Sequence, residues 1–123
     1  LPNHDGGLLP LDHALADGFT IVSPGGDELD RSGTLDAIRG LHASATGGPV
    51  ISIRDVRVVH DAPPYALVRY VEVQDWVAGG HTERVSTALL RADPGATDGV
   101  AWHSVHETWL ADRSRPISGR SVR

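Results

Sequence analysis

The chain is 123 residues long, carries a formal net charge of −5 and has no cysteine. That length is enough for one domain with a real core, and the negative balance excludes nucleic-acid binding through a basic surface. The lack of thiols excludes disulfides and thiolate chemistry, and because all 11 basic residues are arginine, a Schiff-base lysine is excluded as well.

Residues 1–7 read as a loose segment, and residues 8–16, with Leu8, Leu11 and Leu15 on one side, as a short helix. Residues 19–31, FTIVSPGGDELDR, follow as a strand, a Pro-Gly-Gly turn and a short return. Asp30 or Ser32 is placed to cap a helix over 32–44. Leu35, Ile38, Leu41 and His42 recur there at helical spacing, and Gly47, Gly48 and Pro49 end it. Three long strand patterns then cover 50–60, 65–77 and 81–91, with turns at 62–64 and 78–80. The tail over 111–123, rich in Arg and Ser and broken by Pro116 and Gly119, reads as flexible or docked on a neighbour. No apolar run approaches a membrane span and no signal-peptide pattern opens the chain, so no membrane partner is expected and the cytoplasm is the expected compartment. Helices first and antiparallel strands after make an α+β fold, one domain over 1–123. Its sheet would curl over the helices, and the cavity between them would suit a small ligand.

The last strand pattern, WHSVHETW over 102–109, raises a separate question. On a helix, His103 and His106 would share a face and could hold one ion. Val, Thr and two Trp favour a strand instead, preceded by the turn material DPGATDG. On a strand the two histidines alternate faces, and no metal site is expected. Strict alternation puts Trp102, Ser104, His106 and Thr108 on one side, with Ala101, His103, Val105, Glu107 and Trp109 on the other, and one Trp on each side leaves either face open to look inward.

The hairpin made by 65–91 can be tested for register. A three-residue loop, 78–80, places Trp76 opposite Thr82, Gln74 opposite Arg84, Glu72 opposite Ser86 and Tyr70 opposite Ala88. One face then carries Tyr70, Glu72, Gln74, Trp76, Arg84 and Ser86. The other carries Leu67, Val71, Val73, Val85 and Leu89 and reads as a dry core. The polar face is the candidate pocket wall, formed by Tyr70, Glu72, Arg84 and Trp76, with Trp102 and His106 on the neighbouring strand. Arg84 would bind a carboxylate or phosphate group, with a small carboxylate among the candidate ligands. His106, Glu72 and Asp55 are the candidate acid–base groups: His106 for its titration near neutrality, Glu72 for its place beside Arg84, and Asp55 because it interrupts the apolar run ISIRDVRVV. Against these stands a plain alternative, a solvated sheet face with a surface ion pair. No phosphate-binding loop, nucleophile elbow or dinucleotide fingerprint is present, and no cofactor is expected.

The order of GFTIVSPGGDELDR, a helix, IRDVRVV, ALVRYVEV, ERVSTALLR and WHSVHET resembles the nuclear transport factor 2-like superfamily over about residues 14–110. The nearest branch is the SnoaL-like group that also holds the association domain of calcium/calmodulin-dependent kinase II. The resemblance implies a cone-shaped, cystatin-like pocket between sheet and helices, a pocket-lining position for Glu72, and a homodimer made through the sheet. It implies no single activity. Two functions follow as expectations: a small-molecule-binding domain without catalysis, or a cofactor-independent isomerase, dehydratase or cyclase using acid–base chemistry.

Overall fold

The computed structural model describes residues 14–43, 48–96 and 98–110. The segments expected to be loose, over 1–7 and 111–123, lie outside the described residues, as does most of the helix expected over 8–16. Leu15 of that stretch already opens a strand.

Six strands and one helix make up the described chain. They are β1 (Leu15–Val22), β2 (Glu28–Asp30), α1 (Arg31–Ala43), β3 (Val50–Ala62), β4 (Tyr65–Asp75), β5 (His81–Ala92) and β6 (Val100–Trp109). All strands join one sheet in the order β2-β1-β6-β5-β4-β3. β1 runs parallel to β6, and every other pair is antiparallel. The fold is α+β, a curved sheet wrapped around a helix on one face. Among the described residues no helix is long and apolar enough to cross a membrane.

The start of α1 follows from its cap. The Asp30 carboxylate accepts the Gly33 backbone N–H at 2.8 Å, and the Thr34 hydroxyl donates to the Asp30 carbonyl at 2.8 Å. The first of these bonds satisfies an N–H that a bare helix end leaves open. The helix buries Thr34 and Leu35 and leaves Leu41 39% exposed. Leu35 joins Leu15, Phe19, Tyr70, Ala88 and Val105 in the core, with Ile21, Val68, Leu90 and Trp102 packed against it.

That core corrects one expectation. The face carrying Tyr70 and Ala88 is the buried one, in one core cluster with Leu35 of α1; the face of Leu67, Val85 and Leu89 is only half-buried. Val71 and Val73 on that reverse face are nonetheless 8% exposed. The reason is a charged strap. Arg54 on β3 bonds Glu83 on β5, crossing β4 between them, and it also holds Asp55 at 2.7 Å. Arg54 is paired with Val71 and Glu83 with Val73 in the register, so the strap covers both valines.

A second correction concerns the β4–β5 hairpin. Its loop is five residues, 76–80, and pairs Asp75 with His81, Glu72 with Arg84 and Tyr70 with Ser86. The expected register is two residues away. The Trp76 N–H donates to the Gly80 carbonyl at 3.0 Å and the Gly79 N–H donates to the Trp76 carbonyl at 2.9 Å. Gly79 and Gly80 adopt φ of 98° and 119°, which only glycine takes readily. A two-residue shift preserves alternation, so the composition of each face survives. The expected register would set Asp75 opposite Glu83, a like-charge pair that the shift removes.

In its place, His81 sits 2.6 Å from Asp75 and 2.8 Å from Glu83. The bonds to Asp75, then Glu83, raise the His81 pKa, and the bonds from His81, then Arg54, lower that of Glu83. The contribution of His81 to stability is therefore full below the ordinary histidine value and lost as pH rises through its raised folded value. That of Glu83 is full above the ordinary glutamate value and lost as pH falls through its depressed one. Histidine-resolved NMR titration should place the His81 midpoint above 6.5, its ordinary value, and Asp75→Asn should bring it down. A midpoint unchanged by Asp75→Asn would show that the pair does not form in solution.

Candidate functional site

α1 packs against β1 and β2. Toward β3, β4 and β5 helix and sheet diverge, and the gap is a cavity of about 750 Å³. Ala37, Ile38 and Leu41 of the helix and Ile21, Leu29 and Ile51 of the strands form its apolar wall. Its polar floor comes from Glu72, Gln74, Arg84 and Glu107. A second cavity of about 430 Å³ adjoins along the same sheet face, lined by Ile53, Val56, Val68, Tyr70, Leu90 and Trp102, and it shares Glu72 with the first.

Strand register assembles the floor. Tyr70, Ser86 and Glu107 form one row across β4, β5 and β6; Glu72, Arg84 and Trp109 form the next. Between the rows, Arg84 Nη1 donates to Glu107 Oε1 at 2.9 Å, and both side chains are shielded, at 15% and 6% exposure. The Arg84 guanidinium lies 4.9 Å from the centre of the Trp109 ring, a cation–π contact. Glu72, although directly opposite Arg84, is bonded by a neutral group: Gln74 Nε2 donates to its Oε2 at 2.7 Å. Tyr70 meets Trp102 edge to face at 6.3 Å. Arg84 Nε and the Thr82 hydroxyl are buried without a hydrogen-bond partner.

Burial dominates the electrostatics. It raises the Glu107 pKa, and the charge of Glu72 adds to the rise, while the bond from Arg84 opposes it. The Tyr70 phenol is pushed up to about 12, first by burial and then by the nearby Glu72 and Glu107 carboxyls. The floor thus holds two carboxyls in unlike surroundings, one ion-paired and buried, the other facing both cavities.

No protein-family model and no curated protein matches the chain. Solved structures do. An NTF-2 like protein of unknown function from Pseudomonas aeruginosa is 26% identical, with a TM-score of 0.75 over 89% of this chain and 83% of that one. The chain has the nuclear transport factor 2-like fold. An uncharacterised protein with a cystatin-like fold from Caulobacter vibrioides superposes with a TM-score of 0.70 at 14% identity, over 89% of this chain and 80% of that one. The hub of the S. rosetta calcium/calmodulin-dependent kinase II reaches 0.64 at 14% identity, over 86% and 87%. These last two likenesses concern the fold alone.

Within this nuclear transport factor 2-like cone, Tyr70, Glu72, Arg84 and Trp102 come together on the inner face. His106 does not. It is exposed on the outer face, opposite Thr87. The cause is a bulge: Leu89 pairs with Ser104 but Leu90 pairs with Trp102, so His103 is an extra residue in β6. The bulge returns Trp102 to the same face as Val105 and Glu107. Trp76 closes the hairpin loop and lines neither cavity. Asp55 is exposed at a bulge in β3, with φ of 57°, bonded to Arg54. That conformation is one Asp tolerates better than most residues, and the exposed carboxylate lines neither cavity. The residue that sequence reasoning missed is Glu107. Its signal was a carboxylate in an otherwise apolar row, between Val105 and Trp109.

Proposed function

We propose that this nuclear transport factor 2-like chain is a small-molecule-binding domain whose ligand occupies the cavity between α1 and the inner sheet face. One observation carries the reading: a concave, mostly apolar space of about 750 Å³ ends in a shielded, convergent set of polar groups, Glu72, Arg84 and Glu107. Folding alone has little use for such a floor, since a buried ion pair is rarely more stabilising than apolar residues of the same size. Self-association belongs to the same proposal. Among the described residues β3 leaves one edge unpaired and exposes Val50 and Val58 at 66% and 60%, apolar surface that a second copy would cover.

A second reading is acid–base catalysis on a small substrate, without a cofactor. The observation favouring it is the pairing of a buried Glu107, whose pKa is raised, with Glu72 at the cavity. Two carboxyls in different environments can divide the roles of acid and base.

A ligand-observed NMR screen with a chemically diverse fragment library tests the binding reading. Fragments should bind the wild type and be lost in Ala37→Trp, which fills the cavity from the helix side without touching the core. No binding, or equal binding to the filled variant, would defeat it. Light scattering at micromolar concentration should give a dimeric mass, and a monomeric mass refutes the self-association.

A further inference from the structure

The charge balance of the cavity points to a ligand class. Asp27, Glu28, Glu72 and Glu107 all line the larger space, against one guanidinium, that of Arg84. Arg84 is already engaged by the protein. Its Nη1 is bonded to Glu107 at 2.9 Å and its guanidinium carbon lies 4.9 Å from the centre of the Trp109 ring. The pair Arg84–Glu107 is close to neutral as a unit. Glu72 is different: among the described residues its only hydrogen-bond donor is the uncharged Gln74 amide, and it forms no ion pair. An anion entering here would meet Glu72 with no spare cation to offset it, whereas a cation would supply the partner that Glu72 lacks.

Position adds a second constraint. Glu72 is the residue the two cavities share. On its far side lies the smaller space, apolar and aromatic, walled by Val68, Leu90, Tyr70 and Trp102. A group bonded to Glu72 can therefore carry an apolar body of modest size into that space, where the two rings also favour a neighbouring positive charge.

We infer that the site binds a small amphiphilic amine in its protonated form, with the ammonium group on Glu72 and the apolar body against Val68, Leu90 and Trp102. The inference rests on the reading of the cavity as a ligand site and gives it a chemical class. It replaces the carboxylate ligand that Arg84 suggests from the sequence, because the guanidinium is already bonded to a carboxyl of the protein.

Three compounds of one shape separate the possibilities: phenethylamine, 3-phenylpropionate and the neutral 3-phenylpropanamide, titrated by calorimetry or NMR into wild type and Glu72→Gln. The amine should bind the wild type on the order of tenfold more tightly than the carboxylate, the scale of one charge-assisted hydrogen bond. In Glu72→Gln that preference should vanish, with the amide little changed. Equal or tighter binding of the carboxylate to the wild type overturns the inference, and so does an amine preference that persists in Glu72→Gln. If none of the three binds, the inference fails; fragment hits lost in Ala37→Trp would then still support the cavity as a ligand site for another chemistry.

Discussion

Glu107→Ala is expected to destabilise the protein by about 3–5 kcal/mol, the cost of leaving one member of a buried ion pair alone. The stranded group is Arg84, only 15% exposed and already lacking a partner at Nε. A guanidinium cannot shed its charge at any ordinary pH, so this deficit should hold across the neutral and mildly acidic range. Arg84→Ala strands Glu107 instead, and a carboxyl has an escape. Its pKa is already raised by burial, and losing Arg84 raises it further, so the folded state takes up a proton. The folded protein then binds more protons than the unfolded chain, and stability increases as pH falls toward the ordinary glutamate value. The Arg84→Ala deficit should accordingly be smaller, about 2 kcal/mol near neutrality, and shrink on acidification. Replacing both residues with apolar ones, Arg84→Met with Glu107→Leu, should recover most of the loss. Urea denaturation of the three variants at neutral and mildly acidic pH reads all of this. Small, equal and pH-independent losses would mean that the pair is solvated rather than buried. The cost falls on stability as well as on binding because Arg84 stands on the same face as the core.

The second large effect is expected at Phe19. Its side chain is 3% exposed at the meeting of β1, α1 and the inner sheet face, with Leu15, Leu35, Tyr70, Ala88 and Val105 around it. Phe19→Ala should cost about 3–5 kcal/mol through lost burial and the cavity left behind. That is a large fraction of the ~5–15 kcal/mol that holds a typical domain together. Val77→Ala is the control: at 72% exposure in the β4–β5 loop, it should stay within about 0.5 kcal/mol. A Phe19→Ala loss below about 1 kcal/mol would show that this cluster is not the main core.

Much of the fold was legible residue by residue. Alternation marked β3 to β6, and Pro24-Gly25-Gly26 marked the turn between β1 and β2, where the Gly26 N–H donates to the Ser23 carbonyl at 2.8 Å. Asp30 marked the start of α1 through its capping carboxylate. The order of these elements carried the likeness to the nuclear transport factor 2-like fold, although no single piece was strong alone. The pocket was legible only in part. Tyr70, Glu72 and Arg84 share a face in any register of the same parity, so an error of two residues in the hairpin did not separate them.

What failed was whatever depended on breaking the period. Strict alternation through WHSVHETW assigned His106 to the pocket and Glu107 to the reverse side, and one extra residue at His103 inverted that assignment. The same applies at Asp55, where a bulge in β3 turned an apparent buried carboxylate outward. Strand and helix identity depend on local backbone preference and on burial period, both written along the chain, and the sequence by itself determined them. The bulges, the five-residue loop, the face that α1 covers and the pairing of Arg84 with Glu107 rather than Glu72 were decided only by the tertiary structure. They depend on how strands and helix fit together in space, as when Arg84 meets Glu107, 23 positions away in the chain.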